Sequence, residues 1–437
     1  MLEGEERLGR AALVGDLARI ELECECCGTR LDAFRSPGRC ACGGLFRVVF
    51  PRPGSVDLRV FDRRLGTWEP LDRSGVWRYR EFLPPLSAHF VITRPEGNTN
   101  LYRHPRLSSW TGCQELVVKH EGENPTGSFK DRGMTVAISH ARAVGARAVA
   151  CASTGNTAAS VAAYAALAEL GSVVFLPAGK IAAGKLGQAL AYGARIVQID
   201  GDFDAAMRLV EAASDELGLY LLNSVNPFRL EGQKTIVFEL LHQLAWEPPD
   251  WIVLPGGNLG NTAAFGAALD QLQRWGVLAR LPRLAVIQAE GAAPFYAAYR
   301  TGFRDFHPVQ AETVATAIRI GNPVSYERAK RAIELTDGVV AVVSDTEILE
   351  AKAVVDRCGI GCEPASAAAV AGVRKLVAEG TIGADDRVVA ILTGHVLKDP
   401  ETILRYHTAE PVRSLANRPV TVPASLDALR GVLGDGA

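Results

Sequence analysis

From Glu96 onward the chain alternates short apolar runs of strand length with longer segments of helical periodicity. That alternation leaves few folds open. Strands joined through helical crossovers run parallel, and a parallel sheet needs helices over both faces. The candidate strands are Glu115–Val118, Arg147–Cys151, Ser172–Leu176, Arg195–Ile199, Tyr220–Leu222, Trp251–Leu254, Arg283–Gln288, Val339–Val343 and Val388–Leu392. Apolar-periodic helices lie between them, among them Thr157–Leu170, Gly184–Tyr192, Phe203–Leu217, Gly232–Leu244 and Thr262–Trp275. So many short strands predict two α/β domains rather than one sheet. A ligand cleft is then expected between the domains, at the carboxyl ends of strands.

Composition narrows the class. A chain of 437 residues has room for two to four domains with ample core. Hydrophobic residues at 48% and charged residues at 22% describe a globular protein in water. A net charge of -2 and a pI near 6.5 leave no general basic field for nucleic acid. No apolar run approaches the ~18 residues of a membrane span, and the N-terminus has no secretion-signal pattern. The nine cysteines are odd in number and bunched, which predicts reduced thiols in a cytoplasmic protein.

Residues 1–50 read as a cysteine module. Cys24 and Cys27 form a C-x-x-C pair, and Cys40 and Cys42 a C-x-C pair before Gly43 and Gly44, with strand-like flanks at Ile20–Leu22 and Phe46–Phe50. This resembles a zinc ribbon. Either four thiolates hold a structural zinc, or the knuckle is reduced and metal-free, with Cys26 a spare thiol. Residues 51–95, broken by Pro51, Pro53, Pro70, Pro84 and Pro85, read as a connecting or subunit-embracing arm. A large α/β domain is expected from 96–133 and 245–420, a small one from 134–244, and a tail from 421–437.

Five stretches carry chemistry. In E-G-E-N-P-T-G-S-F-K-D-R-G-M (Glu121–Met134), Pro125 and Gly127 turn the chain and Ser128 is suited to cap the following helix. Lys130 then sits at a helix start, where burial and the helix's positive end disfavour its ammonium form. Such an amine suits a nucleophile, for instance a Schiff-base lysine; the alternative is a surface lysine beside Asp131. Ser153, Thr154, Gly155, Asn156 and Thr157 put hydroxyls and N–H groups at another helix start, fit for a carboxylate or for simple capping. Gly256, Gly257 and Gly260 in P-G-G-N-L-G-N let backbone N–H groups cradle an anion. Ser224 and Arg229 lie in a polar stretch able to hold a phosphate or merely to face solvent. Thr393 ends a strand and would point a neutral hydroxyl into the same cleft.

Together these stretches resemble the fold-type II enzymes of pyridoxal 5'-phosphate (tryptophan synthase β-like) and, within them, the threonine synthase family. S-F-K-D-R-G is similar to that family's cofactor-lysine motif, S-T-G-N-T to its asparagine loop and P-G-G-N-L-G-N to its phosphate loop. G-K-I-A-A-G-K-L (Gly179–Leu186), S-V-N-P-F-R-L-E-G-Q-K and A-T-A-I-R-I-G-N-P (Ala315–Pro323) resemble further signatures of it, in the expected order. The likeness runs from about Glu96 to Pro400, and the cysteine module and arm resemble the extension that some of these synthases carry.

The resemblance implies two three-layer α/β domains around a cofactor cleft, plus the zinc-ribbon-like module. It also implies a role for each matched residue. Lys130 would link to the cofactor and shuttle the substrate's α-proton, with Phe129 packed nearby. Asn156 would meet the cofactor's phenolic oxygen, Gly256, Gly257, Asn258, Leu259, Gly260 and Asn261 its phosphate, and Thr393 its pyridine nitrogen. Ser153, Thr154 and Thr157 would bind the substrate carboxylate, and Ser224 and Arg229 the phosphate of O-phosphohomoserine. The activity implied is that of a carbon–oxygen lyase making L-threonine and phosphate, in a homodimer with a small-molecule substrate.

Two departures stand out. Val396 occupies a usual glycine position, and P-V-S-Y (Pro323–Tyr326) replaces P-A-S-W; both are expected to border the cleft. The alternative readings are a cysteate-synthase-like or other β-replacement synthase acting on O-phosphoserine, a threonine dehydratase, and a non-catalytic zinc-ribbon regulator. A dehydratase would leave Arg229 with no anion, and a regulator would have no use for the lysine, asparagine and phosphate loops.

Overall fold

In the computed structural model, residues 17–34, 38–153, 155–178, 183–200, 209–210 and 216–434 are described, and the alternation closes into two parallel sheets. Ahead of them, β1 (Glu21–Cys24), β2 (Arg30–Asp32) and β3 (Phe46–Val49) form an antiparallel sheet with β1 in the middle. The strands that follow are β4 (Leu101–Tyr102), β5 (Leu116–His120), β6 (Ala148–Ala152), β7 (Gly171–Pro177), β8 (Arg195–Ile199), β9 (Tyr220–Leu221), β10 (Trp251–Pro255), β11 (Arg283–Ala289), β12 (Val339–Val343) and β13 (Val388–Leu392). The smaller sheet runs β8-β7-β6-β9, all parallel; the larger runs β12-β11-β10-β13-β5-β4, parallel except for β4 on its edge. Every residue of β5, β10 and β13 is buried, because helices cover both faces. That is why these strands read as unbroken apolar runs. The expected pair of α/β lobes is therefore what forms.

The helices that matter for the cleft are α1 (Lys130–Ala143), α2 (Asn156–Leu167), α3 (Pro227–Gln243), α4 (Gly260–Arg274), α5 (Tyr326–Leu335) and α6 (Pro364–Ala378). The expected helix at 184–192 appears as Ala183–Ala191, whereas most of Phe203–Leu217 lies outside the described residues. The arm contributes Phe61, Tyr79 and Phe82, fully buried with Phe238 of α3. These aromatic side chains strap the arm onto its own chain's core.

Helices α1 and α3 cross with their backbones touching. A Cβ on Gly232 would overlap the Arg132 carbonyl, and one on Gly133 would sit 2.8 Å from the Arg229 carbonyl oxygen. Any larger residue at either position would push the helices apart. This crossing brings Arg229 of α3 beside the start of α1.

Beneath the crossing lies a fully buried charge network. Arg132 donates from Nε to Glu121 Oε2 at 2.6 Å, and from Nη2 to Glu121 Oε1 at 2.7 Å and Glu239 Oε1 at 2.8 Å. Lys119 Nζ reaches Glu239 Oε1, the Thr99 carbonyl and Gln243 Oε1, each at 2.7 Å. Two cations and two carboxylates thus tie β5, α1 and α3 together. Burial works to raise the Glu239 pKa, but Arg132 and Lys119 outweigh it and hold the carboxyl well below its ordinary range. Being depressed, it stabilises the fold fully above pH about 4.5, and that contribution is lost as the pH falls. Glu239→Gln should cost about 3–5 kcal/mol, since two buried cations lose a shared partner. A urea midpoint equal to that of the parent chain would show that the network contributes nothing.

Candidate active site

Lys130 stands at the first turn of α1, on the wall of a cleft of about 1290 Å³ between the two lobes. The turn before it is locked by Asp131. Its carboxylate accepts from the Thr126 N–H at 2.7 Å and from the Thr126 and Ser160 hydroxyls at 2.6 Å each. Ser128, expected to cap this helix, does not. Phe129 is the residue flanking the helix, and among the described residues no side chain caps it and the buried Ser128 hydroxyl has no hydrogen-bond partner. Asp131, one residue inside the helix, instead braces the preceding turn by folding back on Thr126, while the Asp131 and Arg132 N–H groups turn to the Ser128 and Phe129 carbonyls at 3.3 and 3.2 Å. The same turn pairs with the end of β13: Phe129 N donates to the Thr393 carbonyl at 3.1 Å, and His395 N to the Gly127 carbonyl at 2.9 Å. Lys130 and Thr393 are thereby fixed on one wall.

The Lys130 side chain is partly exposed to the cleft, with Nζ 3.7 Å from the centre of the Phe129 ring. Protein packed around the amine drives its pKa from 10.5 to about 7; Arg229 adds to this and Glu363 opposes it. Desolvation is therefore the main cause, with a neighbouring guanidinium second.

The other expected loops converge on the same cleft. Ser153, Asn156, Thr157, Ser224, Arg229, Gly257, Asn258, Leu259, Gly260, Asn261 and Thr393 all line it, each following the carboxyl end of a strand. Gly256 lies just beneath the lining, and Thr154 lies outside the described residues. The Asn258 side chain is already engaged: Nδ2 donates to Ser224 Oγ at 2.7 Å, and Oδ1 accepts from Val324 N at 2.6 Å. It joins the glycine loop to the Ser224–Arg229 end. Arg229 is buried, with Nη1 on the Leu222 carbonyl at 3.0 Å and Nε without a partner among the described residues. Burial lowers its pKa to about 10, the mark of a cation short of counter-charge.

These residues fit the expected pyridoxal 5'-phosphate. Leu259 takes a left-handed conformation (φ 61°) at the start of α4, where a helix leaves its first N–H groups without helical partners. A Cβ on Gly256 would lie 2.5 Å from Val286 Cγ1, and one on Gly257 2.8 Å from Ile318 Cα, so the loop lies too close to its neighbours for side chains. Both amide atoms of Asn261, the Thr262 hydroxyl and Gln233 Oε1 are buried with no hydrogen-bond partner among the described residues. The orphaned donors among them, Asn261 Nδ2 and the Thr262 hydroxyl at a helix N-terminus, are what a bound phosphate ester would satisfy.

Two residues that touch the expected site residues escaped the sequence. Glu363, just before α6, accepts from Asn156 Nδ2 at 3.2 and 3.1 Å, and burial raises its pKa. Ser366 meets Thr393 hydroxyl to hydroxyl at 2.9 Å. A carboxylate inside the small-residue run C-E-P-A-S-A-A-A was the available signal. Conversely, Val396 and Tyr326 do not line the cleft. Val396 packs on Gly361, and Tyr326 turns into an aromatic group with Phe295, Phe303 and Phe306. Neither substitution therefore changes the lining.

The Sγ atoms of Cys24, Cys27, Cys40 and Cys42 lie within 4.8 Å of one another, with Cys24–Cys42 at 3.5 Å and Cys27–Cys40 at 3.6 Å. Four sulfurs about 2.3 Å from one zinc would be spaced roughly 3.8 Å apart. The set therefore suits a tetrahedral ion. Among the four thiols, the Thr29 hydroxyl and backbone pull Cys27 down to about 6, whereas Cys42, although the Gly44 backbone opposes it, is pushed up by the Cys27 and Cys24 thiols.

Comparison with known proteins agrees with this geometry. Residues 92–394 match the family described as pyridoxal-phosphate dependent enzyme. The threonine synthase of Methanocaldococcus jannaschii is 45% identical over 392 residues, covering 89% of this chain and 95% of its own length. That of Methanosarcina acetivorans is 45% identical over 412 residues, covering 94% and 97%. The solved threonine synthase of Escherichia coli superposes with a TM-score of 0.66 at 21% identity, over 94% of this chain and 99% of that one, a likeness of fold. The chain belongs to the pyridoxal-phosphate dependent enzymes and, among them, to the threonine synthase family.

Proposed function

We propose that the cleft converts O-phospho-L-homoserine and water to L-threonine and phosphate. The observation that carries this is Arg229: a buried guanidinium whose Nε has no partner among the described residues, beside a Ser224 hydroxyl held by Asn258. The cleft as a whole is lined by five basic side chains (Arg39, Lys130, Arg229, Arg319, Lys398) and two acidic ones (Glu123, Glu363), although the chain's net charge is -2. Such a lining suits a doubly charged phosphate ester, and a free homoserine or threonine would leave Arg229 unanswered.

Lys130, Asn156, the 256–261 loop and Thr393 are the residues that would hold the cofactor. Bound there, pyridoxal phosphate supplies an electrophilic carbonyl and a ring that withdraws electron density from the substrate's α-carbon. Lys130, with its pKa near 7, is neutral enough to take a proton at Cα and to return one at the end. Thr393, whose hydroxyl is paired with that of Ser366, is read as the partner of the pyridine nitrogen. Ser153, Thr154 and Thr157 are read as the carboxylate site at the start of α2. Ser224 and Arg229 hold the phosphate while its bond to Cγ breaks, and water supplies the hydroxyl at Cβ.

We also read the protein as a cytoplasmic homodimer that takes a small phosphorylated amino acid, without membrane or nucleic-acid partners. No helix among the described residues is long and apolar enough to cross a membrane. The four clustered cysteines are read as a structural zinc site.

Incubation with O-phosphohomoserine should release phosphate and threonine one for one. Release from O-phosphoserine alone would establish the β-replacement alternative instead. Arg229→Ala should raise KM for the phosphorylated substrate by roughly ten- to a hundredfold, the worth of a charged hydrogen bond; an unchanged KM would move the phosphate elsewhere. In the cofactor-free chain, reductive alkylation of Lys130 should reach half its maximal rate near pH 7, because the neutral amine predominates above its pKa. A midpoint near pH 10 would remove desolvation from the account. Metal analysis should find one zinc per chain, lost in Cys24→Ser; a metal-free parent chain would leave a reduced knuckle.

A further inference from the structure

The cysteine module does not stand apart from the active site. Leu45, beside the second knuckle, packs on the same apolar group as Val225 and Val324. Val225 adjoins Ser224, and Val324 N is held by Asn258. Glu25, inside the first knuckle, accepts from Arg328 Nε at 2.5 Å and pairs with Arg331 at 3.2 Å; Arg328 Nη2 also donates to the Phe46 carbonyl at 2.6 Å. Both arginines lie on α5, which begins two residues after Val324. The module is thus docked by apolar and charged contacts at the phosphate end of the cleft.

That docking delivers one side chain to the cleft itself. Arg39, the residue before Cys40, is exposed and lines the cleft with Ser224, Arg229 and Val324. It is no loose surface arginine. Its Nη1 donates to the Gly43 carbonyl at 3.1 Å, and Cys40 N and Gly43 N are bonded within the same loop, to Gly44 O at 2.9 Å and Cys40 O at 2.7 Å. One of the guanidinium's five donors is used in that bond. The loop carrying it also carries Cys40 and Cys42, so the four-cysteine cluster sets its shape.

We infer that Arg39 is a substrate-recognition residue: the cysteine knuckle holds a second guanidinium over the Ser224–Arg229 end, where it draws in and binds the substrate's phosphate. This rests on reading that end as the phosphate site. The division of labour follows from burial. Arg229, deep in the wall, meets the anion after it has shed water, whereas Arg39 at the rim meets it in partly screened solvent and contributes less. The knuckle then has a use beyond stabilising its own few residues, since it positions a cation that neither α/β lobe supplies.

The test uses the full, cofactor-loaded chain and inorganic phosphate, the product, titrated by calorimetry, alongside kinetics. Arg39→Ala should weaken phosphate binding about five- to tenfold and raise substrate KM by the same factor, with kcat changed less than about twofold. Arg39→Lys should recover at least half of the loss. Arg229→Ala serves as the control. If it weakens phosphate while Arg39→Ala binds like the parent, Arg39 has no part in recognition and the proposal falls alone. If both bind like the parent, the phosphate end itself has been misread. An Arg39→Lys chain no better than Arg39→Ala would assign the effect to the loop's shape rather than its charge, and would also overturn the proposal.

Discussion

The contact between α1 and α3 at Gly133 and Gly232 is the constraint on which the rest depends. It leaves no room for side chains, so the space beneath is filled by Arg132, whose guanidinium is answered by Glu121 and Glu239. Buried ion pairs are seldom a net source of stability, because desolvation offsets most of their attraction. Their value here is geometric. Arg132 is two residues from Lys130, and Glu239 is on the same helix as Arg229, so one network sets the distance between the amine and the guanidinium that perturbs it.

The large-scale fold was legible because parallel strands leave a plain trace. The runs Arg195–Ile199, Val339–Val343 and Val388–Leu392 coincide with β8, β12 and β13 residue for residue. The glycine and asparagine loops were legible for a related reason: each lies between a strand and a helix, where polar and small residues interrupt an apolar pattern. Ser128 shows the limit of local reasoning. A serine before a helix is a good cap in isolation, but a β-bridge between Ser128 and Gly394 takes that backbone elsewhere and leaves the hydroxyl buried.

Glu363 and Ser366 show a second limit. Their partners, Asn156 and Thr393, are 207 and 27 residues away; Asn156 meets Glu363 only where the two lobes face each other, and Ser366 meets Thr393 only once α6 packs on β13. Likewise Val396 and Tyr326 sit within motifs that reach the cleft, yet their side chains point into packing. A motif locates a loop; it does not say which of its side chains faces the ligand. Arg39 is the converse case, a cleft residue inside a module whose pattern speaks only of metal.

The electrostatics of Lys130 join these parts. Desolvation lowers its basicity first, Arg229 lowers it further, and Glu363 raises it. An amine that must attack a carbonyl benefits from being neutral, whereas one that must take a proton from carbon benefits from being basic. A phosphate paired with Arg229 would cancel the guanidinium's repulsion and leave Glu363 as the nearest influence. On the proposed reading, the substrate therefore restores basicity to the amine at the stage that requires it. Deep burial of Arg229 matters as much as its charge, because a screened guanidinium could neither depress the amine nor be relieved by the ligand.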